Sequence, residues 1–314
     1  MQDPSVSIVI ATFSEARRDD LTLAVESARK QTLQPHEIIV VVDHNQSFLT
    51  ALQSQWSDVK VLPNAGLRGA SGSRNTGVEA GSGDVVAFID DDAAAAPTWL
   101  EQLIGHYQDV NVMGVGGSIE PNWLADRPTW FPEEFNWVLG CTYVGMPRQS
   151  AKVRNLIAAN MSVRKDMFLE MGGFRKNFGK VGVRPQPEET ELCIRLAQER
   201  PQGHWIYEPK AVVFHRVPPS RGQFRYFISR CFSEGSGKAA LAKLVGSQAS
   251  LSTERQYVQR TLPMGTAKGL VDFATGRDSA GLARAGAIVV GLFTTGAGYL
   301  VGNRVAERKE RAHS

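Results

Sequence analysis

Residues 85–92 read Val-Val-Ala-Phe-Ile-Asp-Asp-Asp. Five apolar residues, two of them β-branched valines, form the pattern of a short strand buried on both faces, as strands of a parallel sheet are. Three carboxylates follow at once. In an open α/β sheet, ligands bind beyond the carboxyl ends of the strands, so Asp90, Asp91 and Asp92 emerge where a substrate sits. If the chain stays extended, Asp90 and Asp92 point to one side and Asp91 to the other. Two carboxylates at close range repel, and a divalent cation carrying diphosphate oxygens relieves that repulsion. The bland alternative is a solvated acidic turn that ends a strand.

Before this stretch the chain alternates. Ser5–Ala11, Glu37–Val42 and Val59–Leu62 read as strands, Asp20–Arg29 and Phe48–Trp56 as helices, and Gly69–Ala80 as a Gly-rich loop running into a helix. Four strands alternating with three helices specify an α/β fold with a parallel, nucleotide-binding sheet. After it, Trp99–Tyr107 reads as a helix and Val110–Ile119 as a Gly-broken apolar run. Residues 121–137, rich in Pro and Trp, read as an irregular loop that covers a site or packs down on the surface. Arg154–Val163 leads to a short helix within Met167–Phe174, ended by Gly172-Gly173.

A second acidic element starts at Pro187-Glu188-Glu189. Proline followed by acids marks a helix start, because the missing N–H costs nothing there and carboxylates face the positive end of the dipole. Leu192 and Leu196, four apart, pack that helix, and helix capping alone is the structural alternative for its acids. Trp205–Phe214 is a strand that closes with His215, which by itself reads as packing or surface.

The totals exclude several classes. A net charge of +3 on 314 residues gives no argument for nucleic-acid binding. Cys141, Cys193 and Cys231 are odd in number and form no CxxC pair, which fits a reducing compartment and neither zinc nor a disulfide framework. A strand within a few residues of the N-terminus leaves no room for a secretory signal peptide.

These pieces, from Val6 to about Glu234, resemble the family-2 inverting glycosyltransferases. The resemblance implies a GT-A fold: a Rossmann-like, mostly parallel central sheet flanked by helices. It implies that Ala11-Thr12-Phe13 hold the nucleotide base, with Glu15 in the same donor-binding segment, and that Asp43 reads the uracil edge. Arg68 and Arg74, in Gly66–Gly69 and Ser73–Gly77, stand beside the nucleotide. Gly172-Gly173-Phe174 matches a segment near the acceptor. Asp90-Asp91-Asp92 occupy the place of the metal-binding acidic motif, with Asp92 and His215 as ligands of Mn²⁺ or Mg²⁺, and Asp90 and Asp91 on the donor side. Glu188-Glu189 stand where the family usually has Glu-Asp, which makes Glu189 the general base and leaves Glu188 as the other candidate.

The implied reaction is transfer from a UDP-sugar to an acceptor hydroxyl. The competing readings are a nucleotidyltransferase and a non-catalytic, membrane-tethered nucleotide-sugar-binding protein. The first usually needs a Gly-rich, basic loop after the first strand, and Thr12-Phe13-Ser14-Glu15 is neither, although Arg17 and Arg18 lie close by. The second needs no general base.

The catalytic domain is expected over residues 1–220 and a helical extension over 221–314. Arg225–Leu244 reads as a helix. Ala285–Asn303 is uncharged and apolar on every face, flanked by Arg284 and by Arg304, Arg308, Lys309 and Arg311. A span needs ~20 apolar residues, and a single crossing from a cytosolic catalytic domain puts the basic tail outside, against the positive-inside rule. A segment that dips into or lies on the membrane, with 263–276 as partner, avoids that conflict; a buried helix or oligomer contact is the alternative. A membrane site at the cytoplasmic face suits a glycan or polyprenyl-phosphate-linked sugar acceptor.

Overall fold

The computed structural model describes residues 3–175, 187–246 and 252–311. Strands β1 (Val6–Thr12), β2 (Glu37–Val42), β3 (Lys60–Pro63) and β4 (Val85–Asp90) lie in the order β3-β2-β1-β4, all parallel. The sheet continues beyond β4 through β8 (Asn160–Arg164), β6 (Val112–Trp123), β9 (His204–Val217) and β5 (Ala93–Ala95), and β7 (Ala151–Val153) pairs with β9. The β4–β8, β6–β8 and β5–β9 pairs are antiparallel. The sheet is therefore mixed, with its parallel half at the N-terminal end of the chain.

Both faces of the parallel half are covered, which is why its strands are apolar without alternation. Ile8, Ile10, Val40 and Val42 face one core, joined by Leu21, Ala24 and Val25 of α1 (Arg18–Arg29) and Phe48 and Leu52 of α2 (Gln46–Gln55). Val9, Ile39 and Val41 face the other, with Val78 of α3 (Ala70–Ala80), Phe168 of α5 (Lys165–Glu170) and Leu192 of α6 (Glu188–Glu199). Each such Val, Ile, Leu or Phe side chain stabilises the fold by roughly 1.5–3 kcal/mol on full burial. Gly77 lets α3 come this close: a Cβ there would sit 2.4 Å from a Val9 methyl carbon. A short helix α4 (Trp99–Ile104) buries Trp99 and Leu103 in the first core.

The chain divides into two compact units. The described residues of Met1–Glu120, Pro147–Val183 and Glu188–His215 form one, and those of Pro121–Met146 and Arg216–Ser314 belong to the other. The second contains a 3-10 segment at Glu133–Leu139 and helices α7 (Phe224–Val245), α8 (Leu262–Ala274) and α9 (Gly281–Arg311). Within 121–137, residues 124–132 are irregular as expected, and their aromatics pack down rather than stand free. β6 runs on to Trp123, and Phe131 and Phe135 are buried in an aromatic cluster with Trp130 and Phe227. The three cysteines are free thiols, all buried.

Candidate active site

The site grows from the carboxyl end of β4. Parallel pairing sets Asp90 opposite Ala11, the next-to-last residue of β1. The chain turns at Asp91 and Asp92 and re-enters the sheet as β5, whose antiparallel pairing with β9 sets Ala93 opposite His215. That register gathers Asp90, Asp92 and His215, one ligand atom of each lying within 4.8 Å of the others. Asp92 and His215 are buried, and His215 Nε2 is 3.2 Å from Asp92 Oδ1.

Asp91 stands in the turn between β4 and β5 and is held by other partners. It accepts hydrogen bonds from Thr12 Oγ1 at 2.7 Å and from Arg17 at 2.5 Å. The same Arg17 nitrogen is 3.3 Å from Asp92 Oδ2, and its guanidinium lies over the Phe13 ring, 5.1 Å from the centroid. Phe13 is itself 55% exposed. Burial pushes Asp91 up to about 6, with Arg17 opposing the shift. Arg17 is held above its ordinary value, because Asp91 and Asp92 outweigh the burial that alone would lower it.

The second acidic element reaches the same place through Arg74 of α3. Its guanidinium donates to Asp90 Oδ1 at 2.8 Å and to Glu188 Oε1 at 3.2 Å, so one buried cation bridges the strand end and the first residue of α6. Burial, which by itself lowers an arginine, is outweighed there by Asp90, Glu188 and Glu189. Glu188 is buried and raised by desolvation, with Arg74 counteracting. Glu189 is half-buried.

Hydrogen bonds fix the elements that carry these groups. Asn75 clasps the backbone of Phe174, donating to its carbonyl and accepting from its N–H, both at 2.9 Å. Gly173 has φ of 69°, and a Cβ there would meet the Asn75 side-chain oxygen at 2.7 Å. The Gly-Gly-Phe segment is thus shaped by a left-handed turn and a close approach that only glycine permits. Glu191, fully buried in α6, accepts from Arg195 Nε at 2.9 Å and from Arg175 Nε at 3.0 Å. Arg195 in turn donates to the Gly173 carbonyl at 2.8 Å.

Asp43 follows the end of β2, its two oxygens accepting from the Asn64 amide at 2.6 Å and the Gly69 N–H at 2.9 Å. Asn64 also holds Leu67 and Gly66, so Asp43 anchors the Gly-rich loop. The expected donor-side residues are not all drawn together. Ala11, Thr12, Asp90 and Asp91 stand at the strand ends, with Phe13 and Arg74 beside them. Arg68 is exposed in its loop, and Glu15, also exposed, pairs with Arg18 at 2.7 Å. Neither touches the acidic cluster among the described contacts. Arg17 joins that cluster with no signal in the sequence beyond its charge, because its partner lies 74 positions away.

Two carboxylates and an imidazole, converging and mostly buried, suit a divalent cation such as Mn²⁺ or Mg²⁺. The donor set fits one.

Comparison with known proteins decides the family. The model of the family described as "Glycosyl transferase family 2" matches residues 7–172, more than half of the chain. The chain belongs to that family. This glycosyltransferase is 37% identical over 241 residues to the glucosyl-dolichyl phosphate glucuronosyltransferase of Haloferax volcanii, covering 75% of this chain and 77% of that protein. It is 29% identical to the Escherichia coli UDP-Glc:alpha-D-GlcNAc-diphosphoundecaprenol beta-1,3-glucosyltransferase WfgD, over 38% of this chain and 47% of that protein. The mannosyltransferase PcManGT from Pyrobaculum calidifontis, solved in complex with GDP-Man and Mn²⁺, is similar in structure with a TM-score of 0.59 at 18% identity. That match covers 97% of this chain and 87% of that one, and establishes the fold as GT-A with a C-terminal apolar helix. Family membership sets aside the nucleotidyltransferase and the non-catalytic binding protein.

Proposed function

We propose that this glycosyltransferase is metal-dependent and inverting. It moves a hexosyl or hexuronosyl group from a UDP-sugar to a hydroxyl of a polyprenyl-phosphate-linked sugar or other cell-envelope glycan, at the cytoplasmic face of the membrane. The observation that carries this reading is the convergence of Asp90, Asp92 and His215 within 4.8 Å, beside a second acidic pair on α6. The names of the Haloferax and Escherichia relatives support a lipid-linked acceptor, and the first supports a uronic acid donor.

Asp92 and His215, with Asp90, would hold Mn²⁺ or Mg²⁺, which supplies a Lewis acid against the charge that builds on the departing diphosphate. Ala11, Thr12 and Phe13 at the end of β1, with Glu15, Asp43, Arg68 and Asp91, line the donor nucleotide. Arg74 keeps Asp90 and Glu188 apart in charge, so that both acidic elements stand at one site. Glu189, the second acid of the pair, takes the proton of the acceptor hydroxyl. As the acceptor oxygen bonds to the anomeric carbon, the carbon–oxygen bond to the β-phosphate breaks and UDP leaves from the opposite face. Residues 1–220 act as the catalytic domain, and 221–314 as the extension that meets the membrane.

The test uses the full chain with a panel of UDP-sugars and a glucosyl polyprenyl phosphate. The expected outcome is a product of inverted anomeric configuration by NMR, formed with Mn²⁺ and abolished by EDTA. A retained configuration, or undiminished turnover without divalent cation, contradicts it.

A further inference from the structure

We propose that α9 does not cross the bilayer but lies in the plane of its surface, with one apolar stripe sunk into a single leaflet. The proposal rests on the membrane-surface reading above and says how that surface is engaged. Gly281–Arg304 is long and apolar enough to span, and little of it is buried within the protein.

The two faces of α9 differ. One is built to touch α7. A Cβ on Gly235 would lie 1.9 Å from the Thr295 carbonyl oxygen, one on Gly298 would lie 2.1 Å from that of Phe232, and one on Gly302 would lie 2.9 Å from the Ala239 methyl. The other face exposes Leu282, Val289, Phe293 and Leu300, with Phe293 73% exposed. Spaced seven, four and seven apart, they form one stripe about 27 Å long at 1.5 Å per residue. No ionisable side chain except Tyr299 stands between Arg284 and Arg304.

What forbids the crossing is the neighbour. Phe227 of α7 lies against Gly291, Phe232 against Gly298 and Ala239 against Gly302, so the two helices run side by side in the same direction. Between Phe227 and Ala239, α7 carries Arg230, Glu234 and Lys238. Lys238 is paired with Glu254 at 2.7 Å and with Glu234 at 3.6 Å. A spanning α9 would carry these charges to the depth of the hydrocarbon, where ionised groups are costly. Lying flat costs nothing of the kind, because the charges of α7 stay on the polar side while the stripe enters the leaflet.

α8 widens the apolar surface. It meets α9 where Gly269 and Gly281 approach, and exposes Met264, Leu270, Val271 and Phe273. Exposed Arg277 and Arg304 flank the stripe, which fits anionic headgroups.

The test places single cysteines at Leu282, Phe293 and Leu300 in the full chain; the native thiols are buried and stay unlabelled. A fluorophore at each is quenched in phosphatidylcholine–phosphatidylglycerol vesicles by nitroxides at shallow or deep acyl positions. The expected result is stronger quenching by the shallow probe at all three sites, with F293E losing vesicle binding about tenfold. Deep quenching at Phe293 with shallow quenching at both ends means a span and overturns the in-plane geometry while keeping the membrane. No vesicle binding overturns both, and a dimer by light scattering would then assign the stripe to a second copy.

Discussion

At the carboxyl end of β4, five carboxylates, two arginines and a histidine are drawn into partly or fully buried positions, whereas along the outer face of α9 no charged side chain interrupts the apolar stripe. The first arrangement is costly in isolation, since each buried charge must be paired. It is tolerated because β1, β2 and β4 bury apolar side chains on both faces beneath it. The second leaves apolar surface uncovered and places its charges on the neighbouring helix. The contrast separates a region ordered for chemistry on a charged donor from one ordered to meet an apolar medium.

The largest expected effect distinguishes chemistry from architecture within the first region. Glu189→Gln keeps the size of the side chain and removes its basicity, so turnover should fall about 10²–10⁴-fold while calorimetry finds UDP affinity unchanged. Next is Glu191, whose burial between Arg195 and Arg175 serves structure. Glu191→Ala removes a buried carboxylate that holds half-buried Arg195 and exposed Arg175 and should cost about 1.5–3 kcal/mol, read as a fall in melting temperature. An unchanged melting temperature would mean that the acids of α6 are not divided between the two tasks.

The seam of the second region offers a smaller, paired test. Gly298→Ala puts a methyl group 2.1 Å from the Phe232 carbonyl oxygen and should destabilise by about 1–3 kcal/mol. Gly296 lies on the same helix with nothing within 4 Å of its missing Cβ. Gly296→Ala should therefore stabilise by roughly 0.5–1 kcal/mol through helix propensity. Chemical denaturation of the two variants side by side checks both signs; equal effects would remove the distinction between the two faces of α9.

The sequence is most legible where local pattern and tertiary environment agree. β1, β2 and β4 are continuous apolar runs because both their faces are buried, and their observed ends lie within a residue or two of those expected. Pro187 and the acids after it mark the start of α6 for the same reason of local chemistry. The α/β class and the acidic motif follow directly.

What local pattern alone does not carry is set by long-range register, although the family resemblance pairs His215 with Asp92. His215 reaches Asp92 only because β5 pairs with β9, and Arg17 reaches Asp91 across 74 positions; neither contact leaves a periodicity behind. In residues 121–137 Pro and Trp rightly argue for irregularity over 124–132, while the continuation of β6 to Trp123 and the 3-10 segment from Glu133 leave no local signal. The many glycines of α9 lower its helix propensity, yet at Gly298 and Gly302 the close approach of α7 accounts for them.

The most direct test of the central claim is calorimetric titration of UDP into the full chain, with Mn²⁺ and then with EDTA, on wild type and on Asp92→Ala. Binding that requires both the cation and Asp92 is the predicted result. UDP binding that is indifferent to Mn²⁺ and survives Asp92→Ala would contradict the assignment of the Asp90, Asp92 and His215 cluster as a donor-metal site.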